Sequence, residues 1–176
     1  VLAFLTTNTA SASAMLAWVF FDAARGRKPS ALGASVGAVV GLVAITPAAG
    51  YVSVGASVLI GAIAALASNG AVHWKSKSSI DDTLDVFPCH GVGGMVGMLM
   101  TGLFAKDVGF VNGSPRVFLF HLLAMLIVAV YTFAGSYVLY KVTDLVLPLR
   151  VSAEQEDLGL DLNQHDETVG ETIGSV

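Results

Sequence analysis

Long runs without Asp, Glu, Lys or Arg alternate along this chain with short segments marked by charge, Pro or Gly. The first run extends from Val1 to Phe21 and closes with Asp22, Arg25, Arg27 and Lys28, ahead of Pro29. The next, Pro29 to Trp74, is too long for one helix. It is divided at Thr46-Pro47-Ala48-Ala49-Gly50-Tyr51, where Pro removes a backbone donor and Gly supplies the turn. Lys75, Lys77 and the acidic stretch Asp81-Asp82-Thr83-Leu84-Asp85 precede a fourth run, Val86 to Ala105. After a loop with an Asn112-Gly113 turn, Ser114-Pro115 marks a helix start and the fifth run reaches Tyr140. The pattern predicts helices at Val1–Phe21, Ala31–Thr46, Val52–Trp74, Val86–Ala105 and Arg116–Tyr140. This is an all-α bundle of five transmembrane helices at about 20 residues per span, with residues 1–147 in the membrane and 148–176 as a tail.

Composition narrows the picture. The 176 residues are 55% hydrophobic and 12% charged, with a mean hydropathy of +0.74. That leaves too little polar surface for a water-soluble enzyme or a disordered segment. The formal net charge is -4, yet Glu154, Glu156, Asp157, Asp161, Asp166, Glu167 and Glu171 all lie after Val151, in a stretch without Lys or Arg. An acidic tail on an apolar body offers no basic surface for nucleic acid. Alternating the spans puts Arg25, Arg27, Lys28, Lys75, Lys77, Lys141 and Arg150 on one side, with Lys106 and Arg116 opposite. The positive-inside rule then predicts an outside N-terminus and a cytoplasmic tail. Val1 already lies inside an apolar run, so the chain is expected to be a piece of a longer protein. The lone Cys89 allows no internal disulfide, and no Cys or His set suggests a metal site or cofactor.

Small residues recur every four positions at Gly33, Gly37 and Gly41, and again at Ser57, Gly61 and Ala65. Such stripes let helix backbones approach closely where lipid removes the hydrophobic drive. Gly93 and Gly97 are read as another close contact rather than a nucleotide-binding loop, which would need different spacing and a preceding strand. In the tail, Ser152 with Gln155 forms a capping box and Gly159 can stop the helix. Leu158, Leu160 and Leu162 then alternate with Gly159 and Asp161, predicting an extended segment with an apolar docking edge.

The chemistry-bearing segment is Asp85-Val86-Phe87-Pro88-Cys89-His90-Gly91-Val92-Gly93-Gly94. An imidazole within an apolar span is a functional candidate, because a polar titratable group is costly in hydrocarbon and faces a bundle interior or cavity. Neutral imidazole accepts on one nitrogen and donates on the other, which suits His90 to a proton or a small polar solute. The plain alternative is a buried histidine satisfied by a carbonyl. Asp85, five residues earlier, could orient groups near His90, or serve as a helix N-cap with Pro88 in the first turn. His73 and His121 fall at span ends as interfacial residues, and His165 lies in the tail.

The segment Arg27 to Ala34, the run Gly41-Leu42-Val43-Ala44-Ile45-Thr46-Pro47-Ala48-Ala49-Gly50-Tyr51, the Asp85–Gly94 segment and the tail from Leu149 to His165 together resemble the C-terminal half of the Amt/Mep/Rh ammonium transporters. The resemblance runs through essentially the whole chain in order. It implies an eleven-helix fold of two inverted halves plus a last helix, of which the five spans are the seventh to eleventh. It also implies a homotrimer with one pore per subunit in the plasma membrane. By that likeness His90 is the second of two facing pore histidines, Asp85 the acidic residue of the same helix, and Thr46 a pore-lining residue. The first histidine, the aromatic gate and the outer recruitment site would lie in the other half. The implied process carries ammonia and a proton separately past dry walls. The tail would dock on a neighbouring subunit and meet a PII-type signalling protein. An ammonium sensor on the same scaffold is the alternative function, and an intramembrane enzyme using His90 and Asp85 lacks a nucleophile or metal set.

Overall fold

The structure is a computed structural model that describes residues 1–111 and 113–167. Its helices are α1 (Leu2–Ala24), α2 (Ala31–Ile45), α3 (Val54–Lys75), α4 (Gly93–Phe104) preceded by a π-helical turn (Phe87–Val92), α5 (Pro115–Val146), α6 (Ala153–Leu158) and α7 (Leu160–His165). Each predicted helix is present, with ends shifted by a few residues. No strand occurs among the described residues. Three helical segments, Val54–Lys75, Phe87–Phe104 and Pro115–Val146, are long and apolar enough to cross a membrane. The apolar α2 is shorter, at 15 residues. α1 is long enough at 23 residues but is diluted by Thr6, Thr7, Asn8, Thr9, Ser11 and Ser13.

Packing divides the chain into Val1–Val128 and Ala129–Val176. In the first unit α1 lies against both α2 and α3, and the π-turn with α4 packs on α2 and α3. Apart from Trp18 of α1, the core is built from small and branched residues: Ala10 and Ala14 of α1, Val40, Ala44 and Ile45 of α2, and Ile60, Ala64 and Ala65 of α3, with Cys89 of the π-turn.

The small-residue stripes explain how close these helices come. A β-carbon on Gly41 would sit 2.5 Å from the Ala10 carbonyl oxygen, and one on Gly61 only 2.2 Å from that same oxygen. One turn of α1 is therefore gripped from two sides by backbones that tolerate no side chain. Gly97 does the same on α4, where a β-carbon would lie 2.2 Å from the Ala44 carbonyl. Gly93 is looser, with its nearest neighbour at 3.5 Å.

The hydroxyls of α1 face the same seams. Ser13 Oγ donates to the Val58 carbonyl (2.8 Å), Ser11 Oγ to the Ala38 carbonyl (3.1 Å), and Thr6 Oγ1 to the Ala49 carbonyl. Thr9 Oγ1 shares a hydrogen bond with Ser57 Oγ at 2.5 Å. Polar side chains here fasten one helix to another instead of facing water.

Ser114-Pro115 starts α5 as predicted, with Ser114 Oγ accepting from the Arg116 N–H at 3.2 Å. Asn112, assigned to a turn from sequence, lies outside the described residues. Within the first unit α5 begins on α4, where Gly102 faces Phe118 and the Cβ of His121. None of the 32 residues of α5 is buried.

In the second unit the predicted capping box of Ser152 and Gln155 is present, and Gly159 ends α6 with φ +96°. The extended segment expected across Leu158–Leu162 is overturned, because Leu160–His165 forms α7. Gly159 reverses the chain, and Asn163 Nδ2 then donates to the carbonyls of Gln155 (3.0 Å) and Gly159 (3.2 Å), closing a second helical turn. Strand-like alternation over five residues cannot compete with that local hydrogen bonding. Arg150 binds Glu156 through two contacts, 2.8 and 3.1 Å, and this hydrogen-bonded guanidinium holds the Glu156 carboxyl below its ordinary value. Residues 168–176, the rest of the expected tail, lie outside the described residues.

Candidate functional site

The start of the His90 helix is assembled from the preceding loop. Asp82, not Asp85, caps it: its Oδ1 accepts from the Val86 N–H (2.8 Å) and its Oδ2 from the Phe87 N–H (2.9 Å). The Phe87 and Val86 amides, with Lys75 nearby, hold the Asp82 carboxyl below the ordinary carboxylate value. The expected capping role of Asp85 is thus corrected. Asp85 sits in the left-handed region at φ +53°. A residue there is turned out of the helix and its side chain does not reach the first-turn amides. Instead its Oδ1 meets Lys75 Nζ at 2.6 Å, while the same Nζ donates to the Asp82 carbonyl at 2.6 Å. The straight-helix spacing expected between Asp85 and His90 does not hold for the same reason.

The next residues wind as a π-turn, Phe87–Val92. Pro88 brings no N–H and fits in a first turn, where no intrahelical acceptor is lost. A β-carbon at Gly91 would meet the Phe87 ring at 2.9 Å, so this glycine gives the ring room against the turn. Pro88 and Cys89 are buried, and His90, the next residue, is exposed. π-turns within helices frequently mark functional positions, because they re-aim a side chain within otherwise regular helix.

Thr46 is at the far end of α2, exposed, with Oγ1 donating to the Leu42 carbonyl at 2.8 Å. Gly93 faces Val40 and Val43, and Gly97 faces Ala44. α2 and α4 therefore run parallel, and Thr46 and His90 are separated by roughly 10 Å or more along the axis. Among the described residues no hydrogen bond or ion pair joins His90, Asp85 and Thr46 to one another. The arrangement is an exposed imidazole near one end of two packed apolar helices, with an exposed hydroxyl further along.

Sequence reasoning passed over a second polar cluster. Asn69 Nδ2 donates to Asp22 Oδ1 (3.0 Å), Arg27 pairs with Asp22 (3.6 Å), and Arg27 Nη2 hydrogen-bonds His73 Nδ1. These contacts lock the ends of α1 and α3 together, so His73 is a structural partner as well as a span-end residue. His121 Nδ1 bonds the Val117 carbonyl of its own helix at 2.9 Å.

Comparison with known proteins fits this architecture to a lineage. The model of the Ammonium Transporter Family matches residues 1–169. The chain belongs to the ammonium transporter family. It is 41% identical to an ammonium transporter of Bacillus subtilis and 37% identical to the ammonium transporter Amt1 of Archaeoglobus fulgidus, in each case over 94% of this chain and 43% of the relative. Among solved structures it superposes on Saccharomyces cerevisiae Mep2 with a TM-score of 0.83 at 34% identity, covering 93% of this chain and 40% of Mep2. A structure named Sensor Amt Protein gives a TM-score of 0.84 at 27% identity, covering 93% and 42%. The chain thus spans about four-tenths of the length of these ammonium transporter relatives, and its apolar helices make it a multi-pass membrane protein of that family.

Proposed function

We propose that this chain forms one wall of an ammonium-conducting pore, as the later half of a transporter subunit whose five helices α1–α5 all cross the plasma membrane. The observation that carries the reading is His90: an imidazole exposed on the helix start of an apolar bundle, in a member of the ammonium transporter family. Its open face awaits an opposing wall, and Thr46 lines the same path further along.

The physics of the substrate explains why a histidine serves there. A charged group at the bilayer centre costs roughly 2.5–3.5 kcal/mol on insertion scales. Ammonium can leave its proton behind and cross as ammonia, whereas potassium cannot. Neutral imidazole supplies both an acceptor and a donor, so His90 can hydrogen-bond ammonia or hand on the proton. Asp85, the acidic residue near the same mouth, is held there in an ion pair with Lys75. The subunit is a homotrimer in this reading, residues 148–176 are a cytoplasmic docking tail, and a PII-type signalling protein is a partner at that face.

The test is ammonium-driven current in proteoliposomes holding the complete transporter. His90→Ala should cut the current or abolish discrimination against potassium; unchanged rate and selectivity would remove His90 from the path. The likeness to a sensor favours one second reading, a non-transporting ammonium receptor. Proteoliposomes in which the complete protein binds ammonium without any flux would decide for it.

A further inference from the structure

We infer that Lys75 is the positioning residue for His90, acting through the loop that starts the π-turn; any consequence for transport rests on the pore reading above. Lys75 is the last residue of α3, where the helix C-terminus favours a cation. Its ammonium grips two points of one loop, Asp85 Oδ1 and the Asp82 carbonyl, each at 2.6 Å. Both points belong to residues that define where the next helix begins. The Asp82 carboxylate holds the Val86 and Phe87 N–H groups, and the Asp85 carbonyl accepts from the Cys89 N–H at 2.9 Å. His90 follows Cys89 directly.

Three features make this a transmitted constraint rather than a surface ion pair. The Lys75 and Asp85 side chains are only 15% and 31% exposed, so water screens the pair less than it would at a surface. Asp85 adopts a left-handed conformation that costs a non-glycine residue energy and persists only where neighbours hold it. Finally, α3 is itself fixed to α1 by the Gly61–Ala10 contact, so Lys75 refers the His90 backbone to a closely packed helix seam. Without Lys75, the three carboxylates Asp81, Asp82 and Asp85 crowd one short loop without this shared cation.

The experiment uses the complete transporter in nanodiscs with ¹⁵N-labelled histidine. Lys75→Met should move the His90 ring resonances and leave those of His121 in place, and Lys75→Arg, which can reach the same acceptors, should restore them. Asp85→Asn, which removes the charge and keeps the shape, should move them in the same direction and keeps the test open if Lys75→Met does not fold. His90 resonances that stay put in both variants overturn the inference. Transport separates it from the pore reading. If both stand, Lys75→Met lowers the maximal current roughly 10- to 100-fold, as misplacement of a reacting group does, with little change in half-saturation. Moved resonances with a normal His90→Ala current would sustain the positioning role and sink the pore role.

Discussion

Gly61 and Gly135 occupy similar apolar helices and do opposite things. Gly61 of α3 lets a backbone approach so closely that a β-carbon would stand 2.2 Å from the Ala10 carbonyl, whereas a β-carbon on Gly135 of α5 would meet nothing within 4 Å. The same contrast extends along both helices. α3 buries Ala56, Ser57, Ile60, Gly61, Ala64, Ala65, Ser68 and Asn69, and α5, the longer of the two, buries none of its residues. Apolar composition alone therefore does not determine what a membrane helix packs against. Small residues on one face create a helix–helix seam, and large ones all round create a surface for lipid or for further protein.

The sharpest way to break this contrast is to fill both glycines in the complete transporter. Gly61→Val should cost well beyond the roughly 1–3 kcal/mol of ordinary overpacking, because the obstructing atom is backbone. Monodisperse protein in detergent should be nearly lost. Gly135→Ala should leave yield and melting temperature unchanged or gain about 1 kcal/mol or less from helix propensity. A loss at Gly135 comparable to that at Gly61 would mean that α5 packs against helices outside this chain.

Helix starts offer a second, smaller contrast. The π-turn begins on the Asp82 carboxylate and α5 on the Ser114 hydroxyl. The Phe87 and Val86 amides lower the Asp82 pKa, so the charged cap stabilises this start at neutral pH and its contribution disappears as pH falls through that lowered value. Amide exchange at Val86 and Phe87, corrected for intrinsic rates, should lose protection in acid while Arg116 keeps its protection. Equal loss at both starts would show that acid loosens the helices by another route.

The smallest effect concerns hydroxyls. Ser13→Ala removes a bond between α1 and α3 and should destabilise by about 0.6 kcal/mol, the average for interhelical bonds in a membrane. Thr143→Ala, whose hydroxyl donates to Leu139 of its own helix, should change the melting temperature by less.

Charge-free runs, Pro47 and Ser114-Pro115 were enough to read the helix positions, because those signals act locally through dihedrals and missing donors. The stripe through Gly37 and Gly41 was legible from its four-residue spacing, which puts both glycines on one helix face. Three features were not. The Leu160–His165 helix depends on the Gly159 reversal and the reach of Asn163, which an alternating leucine pattern masks. Asp82 outcompeted Asp85 as the cap because Asp85 takes a left-handed conformation, in which it pairs with Lys75, ten residues earlier. The hydroxyls of α1 carry no signal in the sequence of what they bind, and their partners on α2, on α3 and at Ala49 become visible only once the helices are packed. In the site, His90 stood out as a lone imidazole, and its exposed side could be seen only in the folded chain.

The π-turn also sets an angle. A π-turn amounts to one residue inserted into an α-helix, and each residue of α-helix advances the chain by about 100°. Gly97 is clamped against Ala44, so the turn works as a phase adjustment between that fixed seam and everything before it. Deleting Gly91 or Val92, the two residues of the turn that lie between His90 and the seam, would return the segment to α-helical phase and swing the imidazole to another azimuth without altering its chemistry. The bearing of His90 is thus stored in the count of residues between it and a glycine, a quantity that point substitutions leave untouched.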